Sequence, residues 1–290
     1  MLARLSTMDK NENRDDYVIS HFGGEWKAFN YLDSEQLNDM REQFAAYIQP
    51  LPRELLKVGS LAIADFGAGS GRWAHFLLEY ASQLWLIEPG QESFAVLQQR
   101  FENNSKVHLL NETVSENVVP ENSLDLAVSL GVLHHMPDTS LGIRDISTKI
   151  KPGGNFLCYL YYALENKPLA YRALWNVSNS FRLGISKLPY GARRVVCETI
   201  AGLIYLPFAK LSKLVEKVGL SSKNIPLHHY KDMSFYVMRN DAYDRFGTSL
   251  EQRFTKAQIT QMLENSDFDL ATLKFSDSEP FWTFSIQKRA

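Results

Sequence analysis

The segment from Ile63 to Gly71, Ile-Ala-Asp-Phe-Gly-Ala-Gly-Ser-Gly, constrains the fold of this chain most strongly. An apolar run ends in an acid, three glycines follow at alternate positions, and a helix-like stretch comes next. Glycine lets the backbone turn sharply and approach a ligand closely, because it carries no Cβ. The pattern therefore predicts a buried strand, a tight turn and a helix start, which is where doubly wound α/β folds bind a cofactor.

The spacing of the glycines distinguishes between cofactors. A dinucleotide-binding loop of the form G-x-G-x-x-G would need a third glycine at position 72, where this chain has Arg72. A nicotinamide oxidoreductase is therefore disfavoured. The observed D-x-G-x-G-x-G, from Asp65 to Gly71, resembles the first motif of class I S-adenosylmethionine-dependent methyltransferases. The alternative is an ordinary strand–turn–helix junction that binds no cofactor. Other segments of the chain are needed to distinguish the two interpretations.

Three further segments support this resemblance. The apolar run 84–87 is closed by Glu88, and in doubly wound folds the acid that ends the second strand bonds the ribose hydroxyls. A carboxylate suits a diol because it accepts two hydrogen bonds. The stretch 123–138, with its Leu-His-His-Met-Pro-Asp ending, and the Lys-Pro-Gly-Gly turn at 151–154 resemble the same family. Four motifs in the family's order cover residues 60–160.

The resemblance implies an α/β fold of the Rossmann-like class I methyltransferase type. Such a fold has a mostly parallel seven-stranded sheet with helices on both faces, and here it carries a helical insertion after strand five. Alternating strands and helices form a parallel sheet with right-handed crossovers, and one of the last two strands is expected to be antiparallel. The predicted strands lie near 61–66, 83–88, 106–110, 124–130, 155–162, 268–275 and 281–287.

The pattern divides the chain into four regions. Residues 1–50 form an N-terminal helical segment that we expect to cover the cofactor mouth, and 51–164 form the cofactor-binding core. Residues 165–232 form a helical insertion, expected to act as a lid at the acceptor site, and 233–290 complete the core. Within the insertion, the segment 209–220 has apolar residues on one face and lysines on the other. Contact with a membrane surface therefore stays open beside the lid.

The resemblance also implies S-adenosylmethionine as cofactor and S-adenosylhomocysteine as product. By that resemblance Asp65 holds the cofactor's amino group or a water, and the glycine loop passes beside its methionine part. After the third strand the family usually has an acid that contacts the adenine amine. Thr113 stands there in this chain, or the backbone of Val114 could serve. The predicted cofactor-binding residues are Asp65, Gly67, Ala68, Gly69, Gly71, Glu88, Pro89, Thr113, Val114, Leu130 and Gly131.

Methyl transfer from a sulfonium requires mainly alignment, and an oxygen acceptor must also lose its proton, often to His or a carboxylate. His134 and His135 follow the fourth strand, where this fold opens, and are the candidate catalytic bases. One of the pair could instead only shape the loop, and Arg239 could form a surface pair with Asp241. The predicted acceptor-binding residues are Trp26, Tyr161, His229, Tyr236 and Arg239.

The composition limits the expected binding partners and the expected cellular compartment of the protein. The net charge is −2, without a Lys/Arg block, so nucleic acid is not an expected partner. Cys158 and Cys197 are far apart, which fits a reducing compartment and predicts no metal site. The longest apolar stretch, 199–209, is about half the length of a membrane span, which needs roughly twenty residues. We therefore predict a cytoplasmic protein without stable membrane insertion.

These observations predict an S-adenosylmethionine-dependent methyltransferase. Its acceptor is predicted to be a small molecule, methylated at an oxygen of a sugar, a polyketide-like compound or another secondary metabolite. A homodimer is compatible with the sequence. Two alternatives stay open: a protein or a carrier- or lipid-linked acceptor, and a subunit that binds the cofactor without turnover.

Overall fold

A computed structural model describes residues 8–9, 13–28, 34–165, 168–223, 225–277 and 282–290, with backbone alone at 8–9, 24–28 and 34–39. The chain divides into two compact units, which are described separately. The first, called here the core unit, comprises residues 1–30, 41–166 and 250–290. The second, called the insertion unit, comprises residues 31–40 and 167–249.

Helices and strands alternate over most of the core unit. In the insertion unit, the regular elements of the described residues are all helices. In chain order they are α1 (Asp16–Ala28), α2 (Ser34–Ile48), β1 (Leu61–Phe66), α3 (Ala74–Tyr80), β2 (Ala81–Ile87), α4 (Gln91–Phe101), β3 (Val107–Leu110), β4 (Leu124–Leu130), α5 (Thr139–Lys149), β5 (Ile150–Leu160), α6 (Leu169–Ile185), α7 (Tyr190–Ile200), α8 (Leu206–Lys217), α9 (Phe235–Gly247), α10 (Lys256–Glu264), β6 (Phe268–Phe275) and β7 (Trp282–Lys288).

The longer strands of the core unit form one seven-stranded sheet in the order β3-β2-β1-β4-β5-β7-β6, and two short strands, Met8–Asp9 and Arg14–Asp15, form a separate antiparallel pair. Strands β1 to β5 are parallel, and β7 pairs antiparallel with both β5 and β6. This arrangement confirms the predicted fold class, including the antiparallel strand. The order reverses between β1 and β4, and ligands of open α/β sheets bind beyond the carboxyl ends of the strands at such a point.

The two central strands explain why the sequence reads as continuous apolar runs. Ile63, Ala64 and Phe66 of β1 are fully buried, as are Leu126 and Val128 of β4. A parallel strand covered on both faces buries successive side chains rather than alternate ones. Asp65 interrupts this run one residue before β1 ends and is itself buried. A buried acid at that position needs a specific partner, which directs attention to the carboxyl edge of the sheet.

The Pro-Gly-Gly sequence at 152–154 was predicted as a turn before the fifth strand, and the structure places it inside β5. Leu124 pairs with Ile150 and Leu126 pairs with Asn155, so the intervening residues of β5 form a bulge. Gly153 has φ +75°, a conformation that glycine adopts without strain. A bulge of this kind lets pairing continue on both sides of a segment that contains Pro. Of residues 276–280, which separate the last two predicted strands, 278–280 lie outside the described residues.

The insertion unit extends further along the chain than predicted. Its predicted end, residue 232, precedes α9, and the unit continues through α9 to residue 249. The reason is packing between distant segments: the Tyr243 ring lies 6.4 Å from that of Tyr190, and the Arg193 guanidinium lies 5.9 Å from the Tyr243 centroid. The C-terminal part of the core unit therefore begins at 250 rather than 233.

The structure also corrects the expected length of the apolar segment. Helices α7 and α8 are joined by a π-helical turn, Ala201–Tyr205, into one continuous helical stretch, Tyr190–Lys217, of 28 residues. Within the described residues this stretch is long and apolar enough to cross a membrane, judged by length and composition alone. Only 28% of its most apolar window is buried. The rest of that window is not buried within the protein.

A capping box begins α10 and provides a test of the fold. The Thr255 hydroxyl accepts from the Gln258 backbone N–H at 3.1 Å, and the Gln258 side chain accepts from the Thr255 N–H at 2.9 Å. Replacement of such a cap costs about 1 kcal/mol. We expect Thr255→Ala to lower the free energy of unfolding by that amount in urea denaturation. The control is Thr260→Ala in the same helix, and an equal loss in both variants would contradict the capping role.

Candidate functional site

The loop after β1 has the backbone conformation that its glycines predict. Gly67, Gly69 and Gly71 have φ of +83°, +57° and +83°. A Cβ on Gly67 would lie 2.4 Å from Val132 Cγ2, and one on Gly71 would lie 2.5 Å from Phe101 Cε2. Neither distance is compatible with a side chain, so the loop requires glycine at these positions. It forms a tight turn at the carboxyl edge of the sheet, in which the N–H groups of Gly67 and Ala68 donate to the Ile87 carbonyl.

Asp65, one residue before the end of β1, lies beside this loop and is 1% exposed. Its Oδ2 atom is buried and has no hydrogen-bond partner among the described residues. Burial, and secondarily the nearby Glu88 carboxylate, raise the pKa of Asp65 to about 7. A buried polar atom without a partner costs free energy that a donor would recover. A cationic amine fits this oxygen best, since it supplies both a donor and a compensating charge.

Glu88 follows β2 and is almost fully buried. Its Oε2 accepts the backbone N–H of Gly69 at 2.9 Å, and its Oε1 accepts the N–H of Gly90 at 2.8 Å and the hydroxyl of Ser93 at 2.7 Å. Burial raises the pKa of Glu88, and these three hydrogen bonds oppose that rise. A carboxylate has about four acceptor positions, so one remains on Oε2 for a hydroxyl group.

A cleft of about 960 Å³ opens at the carboxyl ends of β2 and β3. Its size suits a nucleoside-sized ligand. The predicted cofactor residues Pro89 and Thr113 both line it, and the Thr113 hydroxyl accepts the backbone N–H of Glu116 at 2.9 Å, with its own proton left to donate. The sequence analysis missed the polar neighbours of these residues in the cleft, which are Arg14, Asp16, Ser20, Gln91, Glu92, Asn111, Glu112, Glu116 and Asn117.

Asn111 is the missed residue with the clearest structural role. Its side-chain amide donates to the backbone carbonyl of Glu88 at 2.8 Å and accepts from the Gln91 amide at 3.1 Å. It thereby joins the end of β3 to the turn after β2. A signal existed in the sequence, because Asn111 is the first polar residue after the apolar strand. The family usually has an acid that contacts the adenine amine at the position of Thr113. In this chain the adjacent residue, Glu112, supplies a carboxylate in the cleft.

The remaining predicted cofactor residues lie along the same edge. Ala68 is buried in the glycine loop, and its N–H donates to the Ile87 carbonyl. Leu130 ends β4, and Gly131 follows it with φ +83°. Val114 is buried and its carbonyl accepts from the Asn117 amide at 2.8 Å, so that carbonyl is already engaged.

Helix α1 packs on this edge within the core unit. The Phe22 ring lies 4.8 Å from the His135 ring, and a Cβ built on Gly90 would lie 3.5 Å from the Gly23 Cα. Asn13 exchanges two hydrogen bonds with the backbone of Asp138, at 2.9 and 2.8 Å, and so fixes the start of this segment. Sequence reasoning missed Asn13, because its partner is 125 residues away. The side chain of Trp26, a predicted acceptor contact, lies outside the described side chains.

His134 is fully buried, in contrast to an exposed catalytic base. Its ring stacks on Tyr161 at 3.8 Å, and neither ring nitrogen has a hydrogen-bond partner among the described residues. Burial, followed by the charges of His135 and Arg253, holds the pKa of His134 well below its usual value. A neutral, enclosed imidazole serves packing better than proton transfer. The geometry therefore favours the loop-shaping role for this member of the pair.

His135 is buried as well, with its Nε2 enclosed, and it differs from His134 in that the backbone holds one of its ring nitrogens. Its Nδ1 lies 2.6 Å from the backbone carbonyl of Leu250. Because a carbonyl oxygen only accepts, Nδ1 carries the proton and Nε2 carries the lone pair in the neutral ring. The carbonyl fixes the ring orientation as a second group does in many catalytic histidines. Sequence reasoning missed Leu250, which is 115 residues away and contributes only its backbone.

Tyr161 is one predicted acceptor contact in the core unit. Its ring stacks on His134, and the Arg253 guanidinium lies 4.9 Å from its centroid. The Arg253 Nε pairs with Glu251 at 2.8 Å, and its Nη1 donates to the Tyr162 carbonyl. This part of the site is therefore an aromatic and cationic wall beside the two histidines. Arg253 was not predicted, since no local motif marks it.

The other predicted acceptor contacts belong to the insertion unit. The His229 ring lies 3.9 Å from that of Tyr230, and Tyr236 is partly exposed on α9. Arg239 pairs with Glu198 at 2.6 Å, while Asp241 accepts from the Tyr230 hydroxyl at 2.8 Å. Arg239 and Asp241 thus each have a partner elsewhere in the insertion unit. Acceptor binding by His229, Tyr236 and Arg239 stays a prediction.

Comparison with known proteins finds similarity to methyltransferases. Residues 64–158 match the profile of a methyltransferase domain family. The chain is 25% identical over 134 residues to the ubiquinone biosynthesis O-methyltransferase of Paramagnetospirillum magneticum, covering 46% of this chain and 54% of that protein. The match therefore spans about half the length of that relative. The chain is also 25% identical over 225 residues to YqeM of Bacillus subtilis, which bears a provisional methyltransferase name, covering 75% and 78% of the two chains.

A solved structure supports the fold. The magnesium protoporphyrin IX methyltransferase of Synechocystis, crystallised with S-adenosylhomocysteine, has a TM-score of 0.54 to this chain, with coverage of 95% and 97% and 12% identity. At that identity the likeness concerns the fold alone.

The raised pKa of Asp65 predicts a pH dependence of stability. Between the ordinary value of 3.8 and about 7, the folded chain keeps a proton that the unfolded chain has released. The stability of the ligand-free protein should therefore fall as pH rises through this window. Asp65→Asn removes this contribution, so the variant should gain stability relative to the parent between pH 5 and pH 8. Urea denaturation of both proteins at the two values measures the difference, and a pH-independent difference would contradict the prediction.

Proposed function

We propose that this chain, which carries the methyltransferase domain of the class I S-adenosylmethionine-dependent methyltransferases, methylates an oxygen of a small-molecule acceptor. We choose oxygen as the methylated atom because of the orientation of His135. Its Nδ1–H donates to the Leu250 carbonyl, so its Nε2 can accept a proton. One relative is named for O-methyl transfer in ubiquinone biosynthesis, which supports the same choice.

The residues of the carboxyl edge fit the cofactor. The orphaned Asp65 Oδ2 would accept from the amine of its methionine part, and the glycine loop leaves no room for side chains beside it. Glu88 keeps one acceptor position on Oε2 for a ribose hydroxyl, and Pro89 and Thr113 line the cleft that would take the adenine. When bound, S-adenosylmethionine supplies a methyl group that is already activated on a sulfonium.

The protein's remaining contribution is to position the acceptor and receive its proton. His135 Nε2 takes the proton from the acceptor hydroxyl while Nδ1–H stays bonded to the Leu250 carbonyl, which stabilises the cationic ring. Phe22 covers His135 and shields it from water. Tyr161 and Arg253 beside the pair suit a flat, hydroxylated acceptor with anionic character. Of the predicted acceptors, a polyketide-like compound or another flat secondary metabolite fits this description, whereas a sugar ring is not flat.

The direct experiment follows a labelled methyl group. S-adenosylmethionine with a labelled methyl would be incubated with the protein and a cell extract, and the small soluble, lipid and macromolecular fractions would be separated. Label in a small soluble product, stable to conditions that cleave carboxyl esters, supports the proposal. Label confined to protein or lipid would replace it with the macromolecular or lipid-linked alternative. Cofactor binding without label in any fraction would favour the subunit without turnover.

His135 provides a prediction for the chemical step. Substitution of a general base typically lowers the rate by about 10²- to 10⁴-fold. We expect His135→Gln to lower kcat by that range while leaving the Kd for S-adenosylhomocysteine unchanged, because glutamine keeps a donor for the Leu250 carbonyl. The matched control is His108→Gln, at an exposed histidine on β3. If His135→Gln kept full activity at neutral pH, His135 would not be the base.

Asp65 provides a prediction for cofactor binding. A hydrogen bond between charged groups contributes about 1.5–3 kcal/mol, which corresponds to roughly ten- to a hundredfold in affinity. Asp65→Asn should therefore weaken S-adenosylhomocysteine binding by that factor at pH 8, measured by calorimetry. Because the parent carboxyl is protonated below about pH 7, the difference between the two proteins should shrink at pH 6. The exposed Asp267→Asn is the control, and equal affinities at pH 8 would exclude Asp65 from the amine site.

A further inference from the structure

The insertion unit carries an unusual concentration of exposed apolar side chains. Among the described residues, thirteen large apolar side chains between 169 and 220 are exposed, against three in the preceding part of the chain. Several are mostly in solvent, including Leu203 at 73% and Val218 at 66%. Soluble proteins rarely leave such groups clustered in solvent without a binding partner.

The continuous helical stretch Tyr190–Lys217 has two distinct apolar faces. One face is packed into the insertion unit and contains Cys197, Ala201, Tyr205 and Ala209, which recur at a spacing of four residues and are buried. Tyr205 on this face contacts the ring of Tyr230 at 5.1 Å. One side of the helix is therefore already committed to the fold of its own unit.

The opposite face of α8 is exposed and apolar. Leu211, Leu214 and Val218 recur at i, i+3 and i+7, so they lie on one face. At 100° per residue this face points nearly opposite to the buried Ala209 and Ser212. We call Leu203, Leu211, Leu214 and Val218 the exposed stripe.

The exposed stripe is flanked by positive charge. Lys210, Lys213 and Lys217 each precede a residue of the stripe and lie between it and the buried face. Lys213 also pairs with Asp232 at 3.2 Å. Residues 168–223 contain nine Lys or Arg and two Glu, a net charge of +7, whereas the whole chain carries −2. The basic character is therefore local to the segment that exposes the apolar side chains.

We propose that the exposed stripe docks the insertion unit on the surface of an anionic lipid bilayer. A helix with an apolar face and flanking lysines lies in the plane of the interface, with the apolar side chains among the acyl chains and the ammonium groups at the phosphates. Charge complementarity selects this partner over a neutral apolar surface. The buried face selects surface docking over a span, because a spanning helix would have to leave its own unit.

This proposal is independent of the chemical step, since it concerns none of the residues of the carboxyl edge. It adds a location for the enzyme: the acceptor would be met at, or delivered from, a membrane surface. It also refines the prediction of a cytoplasmic protein without stable membrane insertion, because peripheral docking needs no spanning segment.

Vesicle sedimentation of the full chain tests the proposal. Vesicles of phosphatidylcholine with about one third phosphatidylglycerol should sediment the protein, and vesicles of phosphatidylcholine alone should sediment much less. Binding should weaken between 0.05 and 0.5 M salt, roughly the range over which the Debye length falls from about 14 to 4 Å. Absence of sedimentation with both vesicle types at low salt would overturn the proposal.

Substitutions identify the surface. Lys210→Gln and Lys217→Gln should each lower the partition coefficient on anionic vesicles about fivefold, and Leu211→Gln with Leu214→Gln should lower it about tenfold or more. The matched controls, Lys57→Gln and Val58→Gln, change an exposed lysine and an exposed valine of the core unit. Unchanged thermal unfolding and unchanged S-adenosylhomocysteine binding would show that each variant is folded. Equal vesicle binding by stripe and control variants would overturn the proposal.

Two further measurements distinguish docking on a lipid surface from two alternatives, a second copy of the chain on the stripe and a membrane-spanning helix. If the stripe variants abolished a concentration-dependent dimer in lipid-free buffer, and the parent did not bind vesicles, a second copy of the chain would be the partner. Extraction of bound protein with alkaline carbonate distinguishes docking from spanning. Release into the soluble fraction supports docking, and retention in the vesicle pellet would overturn it in favour of an inserted helix.

Discussion

The three hydrogen bonds accepted by the buried Glu88 carboxylate hold the cofactor edge of the core unit together. They join the turn after β1, through Gly69, to the turn after β2, through Gly90 and Ser93. The glycine loop thereby has a fixed position, with Asp65 beside it. Burial, and secondarily this negative charge, raise the pKa of Asp65, whose Oδ2 has no hydrogen-bond donor among the described residues. One carboxylate stabilises the edge, and the other is left for a ligand, which makes this edge a binding site rather than a closed core.

The two units contribute different chemistry. The core unit buries the carboxylates of Asp65 and Glu88, and the acidic, aromatic and glycine residues at its sheet edge suit a nucleoside with an amine and a flat acceptor. The insertion unit exposes apolar side chains among lysines, which suits a surface of mixed apolar and anionic character. Because the groups involved belong to separate stretches of the chain, catalysis and docking can be changed independently. The first unit contains the residues that match the methyltransferase profile, and the second lies outside that match.

Much of the core unit could be predicted because its signals are local. The run closed by Asp65 and the glycine spacing predicted β1 and its turn, and Glu88 was placed correctly at the end of β2. Local patterns do not show which distant groups contact each other. Sequence reasoning therefore missed three contacts: the hydrogen bonds of Glu88 to backbone amides, the Leu250 carbonyl at His135, and the contact of Asn13 with Asp138. The same limit explains the insertion boundary, which depends on α9 packing against α7.

The central claim is that Asp65 and the glycine loop hold the methionine part of the cofactor. The most direct test is a crystal structure of the complex with S-adenosylhomocysteine. The account predicts the ligand's amine within hydrogen-bond distance of Asp65 Oδ2 and its adenine in the cleft lined by Pro89 and Thr113. A ligand bound elsewhere, or an amine that contacts no atom of Asp65, would contradict the account.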